Sequence, residues 1–285
     1  MTDSRDEHRR NLGTFYADPA LLLARQSSPA VGTAAEDFAD WVLALLGGCA
    51  GLDVLDAGAG VGRFTTRLTR LTVAPGTVIA LDLFCSMLET ISGRVRPTPG
   101  LALVNGDIDH LPFRQGTFDL VLANHVLYHL RDIARGLDEL ARVLRPTGRF
   151  VATTNAGEAR VPVIRLHREV AARTGYCSET DASPFSLENG AAILGAHFHH
   201  VETHVFASAN HYASKQALVD AYATTGRYQL IAEALGEAAV LDLATTVACG
   251  WFDNCRDGLW GEVRMAAFVC TGARTTIAPQ PNPVS

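Results

Sequence analysis

Apolar runs rich in β-branched residues alternate with amphipathic helical stretches along the chain, and this alternation restricts the fold more than any other feature. It is typical of a parallel sheet covered by helices on both faces, as in a doubly wound α/β protein. The predicted strands are Asp53–Ala57, Thr77–Leu81, Leu101–Asn105, Phe118–Asn124, Gly148–Asn155, Val201–Ser208 and Arg264–Thr271. Apolar spacing before the fifth strand predicts a helix that ends near Pro146 and Gly148.

Two long insertions interrupt the alternation. About 45 residues separate the fifth and sixth predicted strands and about 55 the sixth and seventh, against 2–6 for ordinary loops. Both insertions have mainly helical patterns, so we expect 156–200 and 209–263 to form a substrate cap. The other expected units are an N-terminal helical lid at 1–45, a ligand-binding domain at 46–155 and 186–275, and a disordered tail at 276–285.

Composition limits the partners. The chain has 24 basic and 30 acidic residues, a net charge of −6 and no basic run, which argues against nucleic acid. No apolar run approaches the roughly 18 residues of a membrane span. Six dispersed cysteines and a charged N-terminus predict reduced thiols in a cytoplasmic protein. The expected partner is therefore a small molecule, bound by a monomer or a homodimer.

A glycine-rich turn follows the first predicted strand, in the stretch DVLDAGAGVGRFTTRL. A dinucleotide fingerprint requires G-x-G-x-x-G, and counting from Gly58 and Gly60 the third position holds Arg63. A phosphate-binding P-loop requires Gly-Lys-Ser/Thr, which is absent. The remaining pattern is D-x-G-x-G-x-G, in which residues without a Cβ let the backbone pass close to a ligand that carries no phosphate.

Acidic residues follow the first three strands. Asp82 lies 20 positions after Gly62, where a carboxylate can accept hydrogen bonds from both ribose hydroxyls. Asp107 follows the third strand and can accept from an adenine amino group, with Ile108 flanking the ring. Together with Asp56, these acids suit a cationic nucleoside and would repel a pyrophosphate.

Five blocks, VLDAGAGVGRF, VIALDLFCSMLE, VNGDIDHLPF, FDLVLANHVLYHL and LARVLRPTGRFVATTN, resemble in order the motifs of class I S-adenosylmethionine-dependent methyltransferases. The resemblance spans roughly residues 52–155. It implies a Rossmann-like, mostly parallel seven-stranded sheet with an antiparallel last strand, and S-adenosyl-L-methionine as cofactor. The ANH-x-L-YH pattern and FSLENGAAIL are similar to a subgroup that acts on small molecules, so we expect methylation at O, N or C, in secondary metabolism.

The candidate cofactor-binding residues lie in these blocks and in the N-terminal stretch NLGTFYADPALLLARQ. The N-terminal stretch is expected to close the site from one side, although Tyr16 is equally typical of a packing aromatic, and the spacing of Met87 also predicts core packing. The set is Asp56, Gly58, Ala59, Gly60, Asp82, Leu83, Met87, Gly106, Asp107, Ile108, Asn124 and Tyr16.

Two histidines are the candidate catalytic residues. His125 follows the fourth strand, beside the expected position of the transferable methyl, and an unperturbed imidazole pKa near 6.5 suits a general base or a substrate-orienting group. His129 lies one helical turn further on, where a packing role is the alternative. The run HFHHVETH lacks the usual metal-ligand spacing, so no metal is expected.

Two other function classes remain open at this point. A methyltransferase fold that has lost methyl transfer can act as a binding protein or a cyclase, because a fold does not determine a function. A dehydrogenase is opposed by Arg63. Methylation of nucleic-acid amino groups loses support, because the Asn/Asp-Pro-Pro-aromatic turn after strand four is replaced by Asn124-His125-Val126-Leu127.

Overall fold

The computed structural model describes residues 12–13, 16, 18–26, 31–72, 76–96, 98–157, 161–176, 183–253, 255 and 257–274. The expected tail at 276–285 lies outside these ranges. The helices are α1 (Pro19–Gln26), α2 (Phe38–Ala44), α3 (Thr65–Leu71), α4 (Cys85–Arg94), α5 (Ile133–Val143), α6 (Pro162–Thr174), α7 (Gly190–Gly195), α8 (Lys215–Ala223), α9 (Gly226–Leu235) and α10 (Glu237–Phe252). The strands are β1 (Val31–Gly32), β2 (Asp53–Ala57), β3 (Thr77–Asp82), β4 (Leu101–Asn105), β5 (Phe118–Asn124), β6 (Leu144–Asn155), β7 (Phe198–Tyr212) and β8 (Leu259–Ala273).

The strands form one sheet in the order β1-β7-β8-β6-β5-β2-β3-β4. Strands β4, β3, β2, β5 and β6 are parallel, and β8 runs antiparallel to both β6 and β7. The predicted Rossmann-like sheet with an antiparallel last strand is thus confirmed. Strand β1 adds an eighth, two-residue strand at the edge beside β7. Two residues are too few to show an alternating pattern, so this strand was not predicted.

Both faces of the sheet are buried, as the apolar strands require. Leu55 and Val121 belong to one core, and their chain neighbours Val54 and Leu120 belong to another. Successive strand residues point to opposite faces, so the two cores lie on the two sides of the sheet. Helices α5 and α7 contribute to the first core, and α2 and α3 to the second.

Strand β6 begins earlier than its sequence predicts. Helix α5 ends at Val143, and β6 follows at once from Leu144 rather than from Gly148. The pairing with β5 jumps from Phe118↔Leu144 to Leu120↔Arg149, so the residues between form an irregular bulge in the strand. The proline of this segment therefore lies in the bulge, after the helix that it was expected to end.

The two insertions form one helical unit. Helices α6, α8, α9 and α10 share a core of their own, which includes Leu166, Tyr222, Ile231 and Val247. Helix α7 packs instead on β7 and β8, so the end of the first insertion belongs to the sheet domain.

Part of the N-terminal segment also belongs to the sheet domain. Strand β1 joins the sheet, and Phe38 and Val42 of α2 are buried in its core. Residues 31–44 are therefore part of the sheet domain, although the expected lid at 1–45 included them, and a lid formed by the residues before them stays a prediction.

Candidate active site

The glycine turn after β2 is hydrogen bonded to the end of the neighbouring strand β3. The backbone N–H groups of Gly58 and Ala59 both donate to the carbonyl of Leu81, at 2.8 and 3.0 Å. Gly58, Gly60 and Gly62 all have positive φ angles, of 75°, 54° and 82°. A Cβ added to Gly58 would lie 2.5 Å from Cγ2 of Val126, so this position tolerates only glycine without rearrangement.

Asp56 supports this turn from behind. It is 1% exposed, does not line the cavity described below, and accepts a hydrogen bond of 2.7 Å from the Thr65 hydroxyl. Burial raises the pKa of Asp56 to about 6, and the nearby charge of Asp82 raises it as well. The structure therefore gives Asp56 a supporting position, whereas the sequence analysis expected a direct cofactor contact.

The raised pKa of Asp56 predicts that the stability of the folded protein depends on pH. Between the unfolded pKa near 3.9 and the folded value of about 6, the folded state binds more protons, so stability is lost as pH rises through this window. Asp56→Asn cannot ionise and should gain up to about 2–3 kcal/mol relative to the parent at pH 8, but little at pH 4. Urea denaturation at both pH values measures this difference.

Asp119→Asn is the opposite-sign control. Burial raises the pKa of Asp119, but the hydrogen bond and charge of Arg145 and the N–H of Asp53 together outweigh burial, so the net pKa is lowered. This variant should therefore lose stability at pH 8 relative to pH 4. If Asp56→Asn changed the free energy of unfolding equally at both pH values, this would contradict the burial of an ionisable carboxyl at this position.

The acids at the ends of β3 and β4 are held by backbone groups. The Asp82 carboxylate accepts from Gly60 N at 2.8 Å and from Phe84 N at 3.0 Å, one bond to each oxygen. Burial raises the pKa of Asp82, and these N–H groups act in the opposite direction. Asp107 accepts from Asp109 N at 3.0 Å and caps a short 3-10 turn, Ile108–His110. Both carboxylates are thus fixed in place by the chain beside them.

A cavity of about 440 Å³ lies at the carboxyl ends of the parallel strands. Every candidate cofactor residue except Asp56 lines it, as do both candidate catalytic histidines. Other lining residues were not predicted from the sequence, and they include Arg63, Phe64, Phe84, Tyr128, Asn155 and Met265. Only Phe84 had a detectable signal, since it follows the strand-end acid; Asn155 and Met265 reach the cavity through the sheet order.

Described residues of the N-terminal segment contribute to the lining of the cavity. Leu12, Tyr16, Leu22 and Gln26 line it, and a Cβ on Gly60 would lie 3.2 Å from Cδ2 of Leu22. Within the described parts of the two insertions, no residue lines this cavity. The role of the helical insertions as a substrate cap stays a prediction.

His125 has an unusual backbone and an unusual environment. Its φ of 51° is the only positive value among the described non-glycine residues, and its N–H donates to the carbonyl of Thr153 at 3.1 Å. Its ring lies 5.4 Å from that of Phe38, between centroids. Burial lowers the pKa of His125 to about 4, and the charge of Arg63 lowers it further. The imidazole is therefore neutral at pH 7 and a weaker base than the sequence analysis assumed.

His129 lies on a 3-10 turn, Leu127–His129, rather than on the expected α-helical turn. Its Nε2 is hydrogen bonded to the Tyr16 hydroxyl at 2.8 Å, and the two rings meet edge to face at 4.8 Å. Tyr128 contacts the same ring at 4.3 Å. The structure thus brings together Tyr16 and His129, which are far apart in the chain, and this contact ties the N-terminal segment to the end of β5.

Histidines of the run HFHHVETH, which overlaps the start of β7, lie beside acidic side chains. His197 Nδ1 lies 3.0 Å from Asp138, and His204 Nε2 lies 3.5 Å from Glu202. Within the described ranges no three His, Cys, Asp or Glu side chains are grouped to hold a metal ion. No helix among those described is both long enough and apolar enough to cross a membrane.

Comparison with known proteins agrees with this geometry. Residues 55–152 match a family model described as a methyltransferase domain. The chain is 38% identical to the 2-phytyl-1,4-naphtoquinone methyltransferase of Nostoc punctiforme, over 34% of this chain and 43% of that protein. It is 40% identical to the demethylmenaquinone methyltransferase of Lactiplantibacillus plantarum, again over 34% and 43%. The chain spans less than half the length of these curated relatives.

A solved structure extends the likeness to the fold of nearly the whole chain. The cyclase SpnF matches with a TM-score of 0.53 and 17% identity, over 90% of this chain and 94% of that one. At this identity the match concerns the fold alone. The family model covers the glycine turn, Asp82 and Asp107, all of which line the same cavity. Residues 55–152 therefore form a methyltransferase domain within a Rossmann-like sheet.

Proposed function

We propose that this chain transfers a methyl group from S-adenosylmethionine to an O, N or C atom of a small aromatic molecule, such as a secondary metabolite. The observation that carries the proposal is a single cavity lined by Asp82 and Asp107 on one side and by His125 and His129 on the other. Its volume of about 440 Å³ is within the range of small-molecule sites, and it presents polar groups for both a cofactor and an acceptor.

The residues present fit the cofactor. Each oxygen of Asp82 accepts one backbone N–H and keeps further acceptor capacity, as binding two ribose hydroxyls requires. Asp107 and Ile108 offer an acceptor and an apolar surface for the adenine. The turn from Gly58 to Gly60 exposes backbone to the cavity without side chains in the way. Two carboxylates also favour a ligand with a positive charge.

The cofactor, when bound, supplies a methyl group on a positively charged sulfur, which needs no further activation. The protein therefore has to align the acceptor and exclude water. The bond between Tyr16 and His129 holds the N-terminal segment against the cavity, which limits water access. His125, neutral at pH 7, can hydrogen bond to the acceptor and hold it in line. We assign it this orienting role in preference to proton removal.

The names of the relatives support an aromatic acceptor. One is named as a methyltransferase of 2-phytyl-1,4-naphtoquinone and the other as a methyltransferase of demethylmenaquinone. The cavity walls contributed by Phe64, Tyr128 and Met265 are suited to a ring. We therefore propose a quinol or a related phenolic compound as the acceptor.

Asp82→Ala is expected to weaken S-adenosylhomocysteine binding by about 1–3 kcal/mol, because hydrogen bonds to a charged acceptor are lost. Calorimetry measures the change. Glu89→Ala is the matched control, since Glu89 is an exposed acid of α4 that does not line the cavity. It should leave the affinity unchanged. Equal losses in both variants would mean that Asp82 acts only through overall charge.

Methyl transfer itself is tested with methyl-labelled S-adenosylmethionine. The purified chain is incubated with a reduced 1,4-naphthoquinone, a simple phenol and a primary amine, and labelled products are separated by chromatography. Label is expected in the naphthoquinol or phenol fraction. Cofactor binding without label in any acceptor would contradict the proposed transfer to an aromatic ring and favour a binding or cyclising role.

A further inference from the structure

Charge is distributed unevenly along the cavity. The order β4-β3-β2-β5 places Asp107 and Asp82 on one side of the glycine turn and His125 on the other. Arg63, at the end of the same turn, lines the cavity and lies close enough to His125 to lower the pKa of its ring. One end of the cavity is therefore acidic, and the other carries a cation.

The guanidinium of Arg63 has unused donors. Its Nη2 donates to Asp37 at 2.7 Å, and within the described residues its Nε and Nη1 have no hydrogen-bond partner. Asp37 is also shared with Arg67, at 3.0 Å, so one carboxylate serves two guanidinium groups. The side chain of Arg63 is 36% exposed, and the residue lines the cavity. A guanidinium with free donors is suited to an anionic oxygen.

His125 adds an uncharged partner at this end. Neither ring nitrogen has a hydrogen-bond partner in the described part of the chain, so both are available to a ligand. Phe64 and Tyr128 provide apolar surface beside these polar groups. The arrangement matches a flat ring that carries an oxygen at its edge.

On the basis of the proposed function, we propose that the acceptor is an acidic phenol or hydroxyquinone that binds as its anion, with the ionised oxygen on Arg63 and the ring between Phe64 and Tyr128. The methyl carbon then leaves the sulfur, which keeps the electron pair of the broken bond. For methylation at oxygen, the phenolate oxygen supplies the electron pair of the new bond, and no proton has to be removed. An acceptor of this kind makes a strong general base unnecessary, which agrees with the weakly basic His125.

The test uses two naphthoquinones that differ in one group. 2-Hydroxy-1,4-naphthoquinone is ionised at neutral pH, whereas 2-methoxy-1,4-naphthoquinone is neutral. Calorimetry with the full chain saturated with S-adenosylhomocysteine should show at least tenfold tighter binding of the hydroxy compound. Arg63→Gln should remove this preference, and Arg63→Lys, which keeps the charge, should retain part of it.

Asp37→Asn separates anion binding from a structural role of the same ion pair. Asp37 caps α2 by accepting from Ala39 N, and asparagine can also cap. Removing this carboxylate leaves Arg63 with more unbalanced charge, so the hydroxy compound should bind more tightly, by about twofold to fivefold. If the pair is only structural, Arg63→Gln and Asp37→Asn should shift binding of both compounds in the same direction.

The outcomes separate the two proposals. Normal binding of S-adenosylhomocysteine with equal affinity for the two naphthoquinones would overturn the anionic acceptor and leave the methyltransferase proposal standing. Failure of the parent protein to bind S-adenosylhomocysteine would overturn both. Thermal melts of the variants identify any loss of affinity that comes from unfolding.

Discussion

Gly58→Ala is expected to lower the free energy of unfolding by about 2–6 kcal/mol and to abolish measurable S-adenosylhomocysteine binding. A φ of 75° costs a non-glycine residue about 1–3 kcal/mol. The new Cβ would also lie 2.5 Å from Val126 Cγ2, and overpacking of this kind costs about 1–3 kcal/mol. Val126 also packs against the core on one face of the sheet, so moving it away would disturb that packing. Urea denaturation and calorimetry measure both effects.

Gly93→Ala is the matched control for this substitution. Gly93 lies within α4, and a Cβ there would have no atom within 4 Å. It should be neutral or stabilising by up to about 1 kcal/mol, because alanine is the better helix former. Adding Val126→Ala to Gly58→Ala should recover part of the loss. Wild-type stability and affinity in Gly58→Ala alone would show that the turn is not as tightly enclosed as the structure indicates.

His125→Ala is expected to lower kcat/KM by roughly 10²-fold, the size of effect associated with one well-placed catalytic or orienting group. His125→Asn should keep turnover within about tenfold of the parent, since asparagine tolerates positive φ and can still hydrogen bond to the acceptor. Because burial places the pKa of His125 near 4, kcat should show no inflection from this residue between pH 6 and 9.

The comparison of these two variants separates orientation from proton transfer. If His125 removes a proton, asparagine cannot replace it, and both variants should lose activity equally. His110→Ala is the control, because His110 is exposed and does not line the cavity. The orienting role would be contradicted if His125→Ala and His125→Asn lost equal activity and if the kcat of the parent decreased at pH values below 6.5.

The central strands were predictable because each has a signal within its own few residues. The bounds of β2, β4 and β5 agree with the sequence-based prediction, since each is a short apolar run between turn residues. Strand β6 begins four residues before the predicted Gly148, because the bulge joins the end of α5 to the strand without a loop. A bulge depends on pairing with β5, and no local pattern encodes that pairing.

In the candidate site, too, only residues with a local sequence signal were predictable. Asp82 and Asp107 were predictable because residues at the carboxyl ends of adjacent parallel strands converge. The position of Arg63 was known from the sequence only as an interruption of the dinucleotide pattern. Its effect on His125 depends on how the turn after β2 meets β5. The bond from Tyr16 to His129 joins segments 113 positions apart, which residue spacing cannot predict.

A calorimetric comparison of S-adenosylhomocysteine and NADH binding to the purified chain tests which class of cofactor the cavity holds. The acids at the ends of β3 and β4 and the Arg63 position in the glycine turn both oppose a dinucleotide. We predict micromolar or tighter binding of S-adenosylhomocysteine and much weaker or undetectable binding of NADH. Equal or tighter binding of NADH would contradict the assignment of this cavity to S-adenosylmethionine.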